Sequence, residues 1–141
     1  MDCDSDLKRR VGEAMGEVAE RHIRLADGFA LVAMEGETPI GLIAVYKRRL
    51  PPPLPETYEG FINIIEVSAA HRRQGIGRRL VEMSMEHCRA LGLHQIRAWS
   101  SEDKTAAISL WKALGFALCP ATERPRGQEV KGYFVAYQLA V

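Results

Sequence analysis

The chain's apolar residues recur at two distinct periods, and the change of period marks out its elements. Between residues 6 and 26, Leu7, Val11, Ala14, Val18 and His22 or Ile23 return near the helical repeat with charges between them. That pattern predicts one amphipathic helix, ended by Asp27-Gly28. Short apolar runs at 29–34 and 40–46, separated by turn residues 35–39, predict an antiparallel hairpin. The basic triplet Lys47-Arg48-Arg49 then leads into Leu50-Pro51-Pro52-Pro53-Leu54-Pro55, where proline removes donors and fixes the backbone, so a stiff surface loop is expected.

Residues 61–67 are rich in Ile and Val and predict a buried strand. A helix follows over 76–91, with Ile76, Leu80, Val81, Met85 and Cys88 inward and Gly92 as its C-terminal stop. The next strand is expected at 95–99. A second helix is expected at 103–114, with Ala107, Leu110, Trp111 and Leu114 on one face and Gly115 ending it. Strands at 116–119 and 132–140 close the series, separated by the polar stretch 121–131. The order predicts a single α/β (α+β) domain over residues 1–141, built around one mixed sheet.

Composition narrows the function classes. With 19 basic and 18 acidic residues there is no global charge to attract nucleic acid or a membrane surface. Cys3, Cys88 and Cys119 are odd in number and far apart, and no Cys/His cluster exists, so neither a disulfide framework nor a metal site is indicated. Cys88 falls on the apolar side of its helix and reads as core. Residues 1–6 are acidic and no run reaches the ~20 apolar residues of a membrane span, so a soluble, cytoplasmic protein is the expectation.

The informative stretch is 62–79, where a strand ending at Val67 is followed by Arg72-Arg73-Gln74-Gly75-Ile76-Gly77-Arg78 and a helix. A helix start leaves backbone N–H groups unpaired and its dipole favours an anion. Glycines at 75 and 77 let a diphosphate approach those groups, and Arg73 and Arg78 flank them with positive charge. A P-loop lacks its Lys and hydroxyl residue here. A dinucleotide fingerprint would want glycine where the chain has Leu80, and an acid in 95–99 that is absent.

The Arg-x-x-Gly-x-Gly spacing after this strand resembles the GNAT superfamily of acyl-CoA-dependent N-acyltransferases. Thr105-Ala106-Ala107-Ile108-Ser109-Leu110-Trp111-Lys112-Ala113-Leu114-Gly115-Phe116 resembles that family's later helix and Leu-Gly-Phe ending. The resemblance implies a sheet splayed between its two middle strands, 61–67 and 95–99, with helices on both faces. It implies acetyl-CoA as cosubstrate, no metal, and direct transfer to an amine acceptor without an acyl-enzyme. The pantetheine would pair with backbone around Ile65, Glu66 and Val67, one amide near Val67 polarising the thioester carbonyl. The pyrophosphate would rest on Arg72, Arg73, Gln74, Gly75, Ile76, Gly77 and Arg78, with Lys104 and Trp111 also at cofactor-contacting positions.

Two of those positions depart from the family pattern, which often has Asn where this chain has Lys104 and Tyr where it has Trp111. An indole cannot protonate the leaving thiolate, so Trp111 reads as core, and Ser100 and Ser101 as caps of the following helix. Period-two alternation places Glu59, Phe61, Asn63 and Ile65 on one face, making Glu59 the expected base and Asn63 a holder of water, with Glu66 opposite unless a bulge re-aims it. The short N-terminus suggests that the family's first strand is missing or very short and its first two helices merged, so a homodimer that completes the pocket is also an expectation. Rival readings are a silent acyl-CoA sensor and a nucleic-acid module built on 47–49 and 72–79. The acceptor itself is expected to depend on loops 50–60 and 120–131.

Overall fold

A computed structural model describes residues 1–53 and 56–139; Leu54 and Pro55 of the expected proline loop, and Ala140 of the expected last strand, lie outside the described residues. The elements run α1 (Ser5–Met15), α2 (Glu17–Arg21), β1 (Gly28–Glu35), β2 (Thr38–Arg49), β3 (Tyr58–Val67), α3 (Ile76–Ala90), β4 (Gln95–Ser101), α4 (Thr105–Ala113), β5 (Ala117–Glu123) and β6 (Val130–Gln138). They form one six-stranded sheet of order β1-β2-β3-β4-β6-β5. Every pairing is antiparallel except β3 with β4.

The expected single N-terminal helix is two helices. Gly16 breaks it with φ +105°, a conformation L side chains rarely adopt, and its N–H closes α1 on the Gly12 carbonyl at 3.0 Å. Asp4 caps α1 by accepting from the Leu7 amide at 2.8 Å. The expected short first strand is present in miniature: Asp2 bridges Leu31, and the Val32 amide donates to the Met1 carbonyl at 2.9 Å.

Helices cover both faces of the sheet. Leu7 and Val11 of α1, with Ala19 and Ile23, pack on Ala30, Val32, Leu42 and Ala44, and this is the first face. Leu80, Val81, Met85 and Cys88 of α3, with Trp111 of α4, pack on Leu31, Ile43, Val45, Ile62, Ile96, Ala98 and Val135, and this is the second. Each large aliphatic side chain so buried contributes about 1.5–3 kcal/mol. Gly60 lies under α3, where a Cβ would stand 2.7 Å from the Cys88 sulfur.

β1 to β5 all exceed their expected lengths, β2 the most. β2 runs on through Lys47-Arg48-Arg49 because those residues pair with Gly60, Glu59 and Tyr58 at the start of β3. The polar stretch 121–131 is largely hairpin, since Ala121, Thr122 and Glu123 pair with Gly132, Lys131 and Val130. Pro120 is tolerated there because β5 is an edge strand.

Candidate active site

The site begins where the sheet opens. β3 and β4 pair only at Gly60–Ile96 and Phe61–Arg97, after which β3 continues to Val67 and β4 to Ser101 without meeting. This is the splay between the two middle strands, and it leaves one edge of each strand free of sheet partners.

A bulge shapes β3 at the mouth of the opening. Ala44 pairs with Ile64 but Val45 pairs with Ile62, so Asn63 is the extra residue. Ile62 therefore packs on the second face and Ile64 on the first, although they are two residues apart. The expected alternation fails from this point: Ile65 packs on the second face, and Glu66, paired with first-face Leu42, shares the side of Glu59 and Asn63. The Asn63 Nδ2 donates to the His22 carbonyl at 3.0 Å, tying the bulge to the end of α2.

Glu59 is neither exposed nor free. Its side chain is wholly buried, with Oε2 3.2 Å from the Arg48 Nε, Oε1 3.2 Å from the Arg97 Nε, and Oε1 accepting from the Gln95 Nε2 at 2.6 Å. The two arginine contacts are charge contacts without hydrogen-bond alignment, since Glu59 Oε2 and Arg97 Nε lack hydrogen-bond partners among the described residues. The carboxylate clamps β2, β3 and β4 at the last level where the middle strands still pair. The expectation was a base open to the cleft; here the carboxylate lies wholly buried between the Arg48 and Arg97 guanidiniums.

Above this clamp, on the first face, a cleft of about 350 Å³ is lined by Arg48, Phe61, Ile62, Asn63, Trp99, Glu123 and Phe134. The Arg48 guanidinium lies 4.5 Å from the Phe61 ring centroid and that of Arg97 lies 5.1 Å from Phe134, whose ring meets Trp99 at 5.1 Å. Only Asn63 among these was singled out from sequence. Arg48 looked like part of a basic run, yet in the strand Lys47 turns to Tyr58 while Arg48 turns to Phe61, so the triplet makes no basic patch.

At the other end of the splay, the segment after β3 forms a short 3-10 turn at Ala69–His71, held by Ser68 and His71 at 2.6 Å and by His71 and Glu35 at 3.1 Å. Arg73 and Gly75 both take left-handed backbone, φ +65° and +79°, and Gly75 opens α3 without a side-chain cap. The first helical bond after it is Arg79 N–H to the Gly75 carbonyl at 3.0 Å, so the amides of Ile76, Gly77 and Arg78 have no intrahelical acceptor. A Cβ at Gly75 would meet nothing within 4 Å. This concave crown of amides suits a phosphate. Arg73, Arg78 and Arg79 are exposed around it, while the Arg72 Nε folds back to donate to the Val67 carbonyl at 3.2 Å.

The remaining expected cofactor contacts divide. Lys104 is exposed and caps α4 with its backbone only. Trp111 is 1% exposed, 4.9 Å from the Phe116 ring, and donates its one N–H to the Ser100 Oγ at 2.9 Å. It has no polar atom left for a ligand and stands in the core. Ser101 bonds Asp103 and does not cap α4 by its side chain. Burial pushes the Cys88 thiol up to about 12, and it lies in the core away from the splay. Among the described residues there is no group of three or more His, Cys, Asp or Glu that could hold a metal, and no helix is long and apolar enough to cross a membrane.

Comparison with known proteins agrees with this geometry. Over 57 residues, 40% of the chain, it is 39% identical to mycothiol acetyltransferase of Streptosporangium roseum, of which it spans only 17%. Its fold is similar to a protein of Streptococcus mutans UA159, with TM-score 0.78, 19% identity and 99% and 98% of the two chains covered. It is similar also to Arabidopsis thaliana NAA60 solved with a bisubstrate analogue, with TM-score 0.77, 14% identity and 98% of each chain covered. Residues 4–116 match the model of the acetyltransferase (GNAT) family, and the chain belongs to that family.

Proposed function

We propose that the protein transfers an acetyl group from acetyl-CoA directly to a primary amine of a small molecule or peptide. The observation that carries this reading is the crown of unpaired amides at the start of α3, set at the end of a splay whose strand edges lack partners. The residues fit the cosubstrate: Gly75, Ile76, Gly77 and Arg78 offer amides to a pyrophosphate, with Arg73 and Gln74 beside them, and the free edge of β3 through Ile65, Glu66 and Val67 offers backbone groups to an extended amide-bearing arm. The relatives support it, since mycothiol acetyltransferase is named for acetyl transfer and NAA60 was solved with a bisubstrate analogue.

Acetyl-CoA supplies an activated acyl group as a thioester. The neutral amine nitrogen bonds to the acetyl carbon as the carbon–sulfur bond breaks. The amide and the free thiol of CoA are the products, the proton lost from nitrogen passing to the departing sulfur. A thiol of pKa about 8.5 leaves readily, so the absence of a free donor on Trp111 does not stop the reaction. Asn63 faces the cleft with its N–H committed to His22, which leaves its carbonyl oxygen to accept from the amine or from a water. Glu59 acts as a positioning residue that fixes where β3 and β4 part. Three free cysteines, one of them exposed, suit a reducing cytoplasm.

Calorimetric titration of acetyl-CoA tests the reading directly. Saturable binding to the wild type that a folded Gly75→Trp variant loses is the expected result; no binding to folded wild type would overturn it.

A further inference from the structure

Resting on that reading, we infer that Ser100 is a catalytic residue: its hydroxyl donates a hydrogen bond to the thioester sulfur as the carbon–sulfur bond breaks, and Trp111 holds it in place. Three polar side chains are buried among the described residues, Glu59, Ser84 and Ser100. Glu59 belongs to the clamp, and Ser84 lies on the inner face of α3. Of the three, Ser100 stands on a strand past the point where the sheet opens. It lies three residues beyond Arg97, the last residue of β4 to pair with β3, or about 10 Å further along the strand. The burial alternation of β4 puts Ile96, Ala98 and Ser100 in one row on the second face. A hydroxyl in the third place of an apolar row costs free energy unless it is bonded.

The Trp111 Nε1 donates to the Ser100 Oγ at 2.9 Å, the one buried hydrogen bond between two side chains among the described residues. That bond occupies a lone pair of the oxygen and leaves the hydroxyl proton, which no acceptor takes among the described residues. An oxygen that accepts from an indole is a better donor in turn. Ser100 has β6 on one side, where Tyr133 is its partner, and the opening on the other. Counted from the last rung, with the bulge at Asn63 allowed for, it is level with Ile64 and Ile65, where the edge offered to the amide-bearing arm begins. Helices close over this face of the opening: a Cβ at Gly77 of α3 would lie 3.7 Å from Leu110 of α4 and 3.9 Å from Val67. In such a water-poor place a preorganised donor stabilises developing charge on sulfur. The amine nitrogen bonds the acetyl carbon and the carbon–sulfur electron pair passes to sulfur. The Ser100 hydroxyl bonds that sulfur without giving up its own proton, and the proton lost from nitrogen completes the thiol.

The test uses CoA, whose thiolate reproduces the leaving group, and needs no acceptor. Ultraviolet absorbance of the thiolate, followed against pH in the complex, reads the ionisation of the bound thiol. Calorimetry compares the affinity of CoA with that of acetyl-CoA, which has no thiol to ionise. In Ser100→Ala the bound thiol is expected to ionise about one pKa unit higher than in wild type. The ratio of CoA to acetyl-CoA affinity at pH ~9.5 is expected to fall about tenfold. Ser100→Thr keeps the hydroxyl and should stay near wild type. Because Ser100→Ala strands the indole N–H, a Ser100→Ala, Trp111→Phe double variant removes both partners and should show the same rise in a folded protein. Ionisation equal to wild type in both variants would overturn the inference and leave the transferase reading intact. A rise produced by Tyr133→Phe instead would move the donor to β6 and overturn it as well. Failure of folded wild type to bind acetyl-CoA would overturn both.

Discussion

Replacing Glu59 by Gln removes one buried charge at nearly constant shape. At 3.2 Å and an effective dielectric of about 20, each of its two arginine contacts carries a gross attraction of about 5 kcal/mol. Most of that is offset by the cost of desolvating a carboxylate with no exposure at all. Breaking a buried pair typically costs about 3–5 kcal/mol, but the arginine side chains here are 35% and 25% exposed and regain some hydration. A loss of about 2–3 kcal/mol is therefore expected, including the repulsion between two guanidiniums no longer bridged. For a chain this size that lowers Tm by about 6–12 °C. Urea unfolding and a thermal scan would measure it. A change under about 1 kcal/mol would refute the clamp and reopen Glu59 as a free base. The pH–rate profile separates the two roles further: raising pH rescues a missing base, because more amine is already neutral, whereas a displaced strand opening stays slow at every pH.

Four other outcomes follow from contacts in the fold. Gly60→Ala should cost about 1–3 kcal/mol because its Cβ would stand 2.7 Å from the Cys88 sulfur, and Cys88→Ala should recover much of that in a double-mutant cycle read by urea unfolding. Thiol labelling under native conditions should modify exposed Cys119 first, then Cys3, which burial and nearby Asp4 push up to about 11, and should reach Cys88 only on unfolding. A thiol held protonated in the fold favours it below the unfolded pKa, so Cys88 should lower stability as pH rises from about 9 toward 12, and Cys88→Ala should flatten that slope in pH-dependent unfolding. Trp111→Ala should destabilise by about 3–5 kcal/mol through the lost core volume and the orphaned Ser100, measured by chemical denaturation.

The sequence by itself determined most of the elements and the candidate anion site, because both depend on neighbours along the chain. Helical spacing marked α3 and α4, alternation and β-branched runs marked β1 to β4, and the glycines at 75 and 77 after a strand marked the candidate anion site. Gly16 was available as a helix breaker, yet the apolar repeat on either side of it concealed the break that its positive φ enforces. Tertiary structure alone decided what the cleft contains. The bulge at Asn63 cancels strand parity, and no local pattern announces a bulge that exists only in the register of β3 against β2. Arg48 and Arg97 each look like an ordinary surface charge in the sequence and Glu59 like a free acid; the pairing of three strands gathers them around one buried carboxylate. Trp99 and Phe134 meet across β4 and β6, and Glu123 joins them only because residues taken for a loop extend an edge strand. Periodicity reports which side of an element is apolar, whereas a site on a splayed sheet is assembled from whichever strands end beside one another.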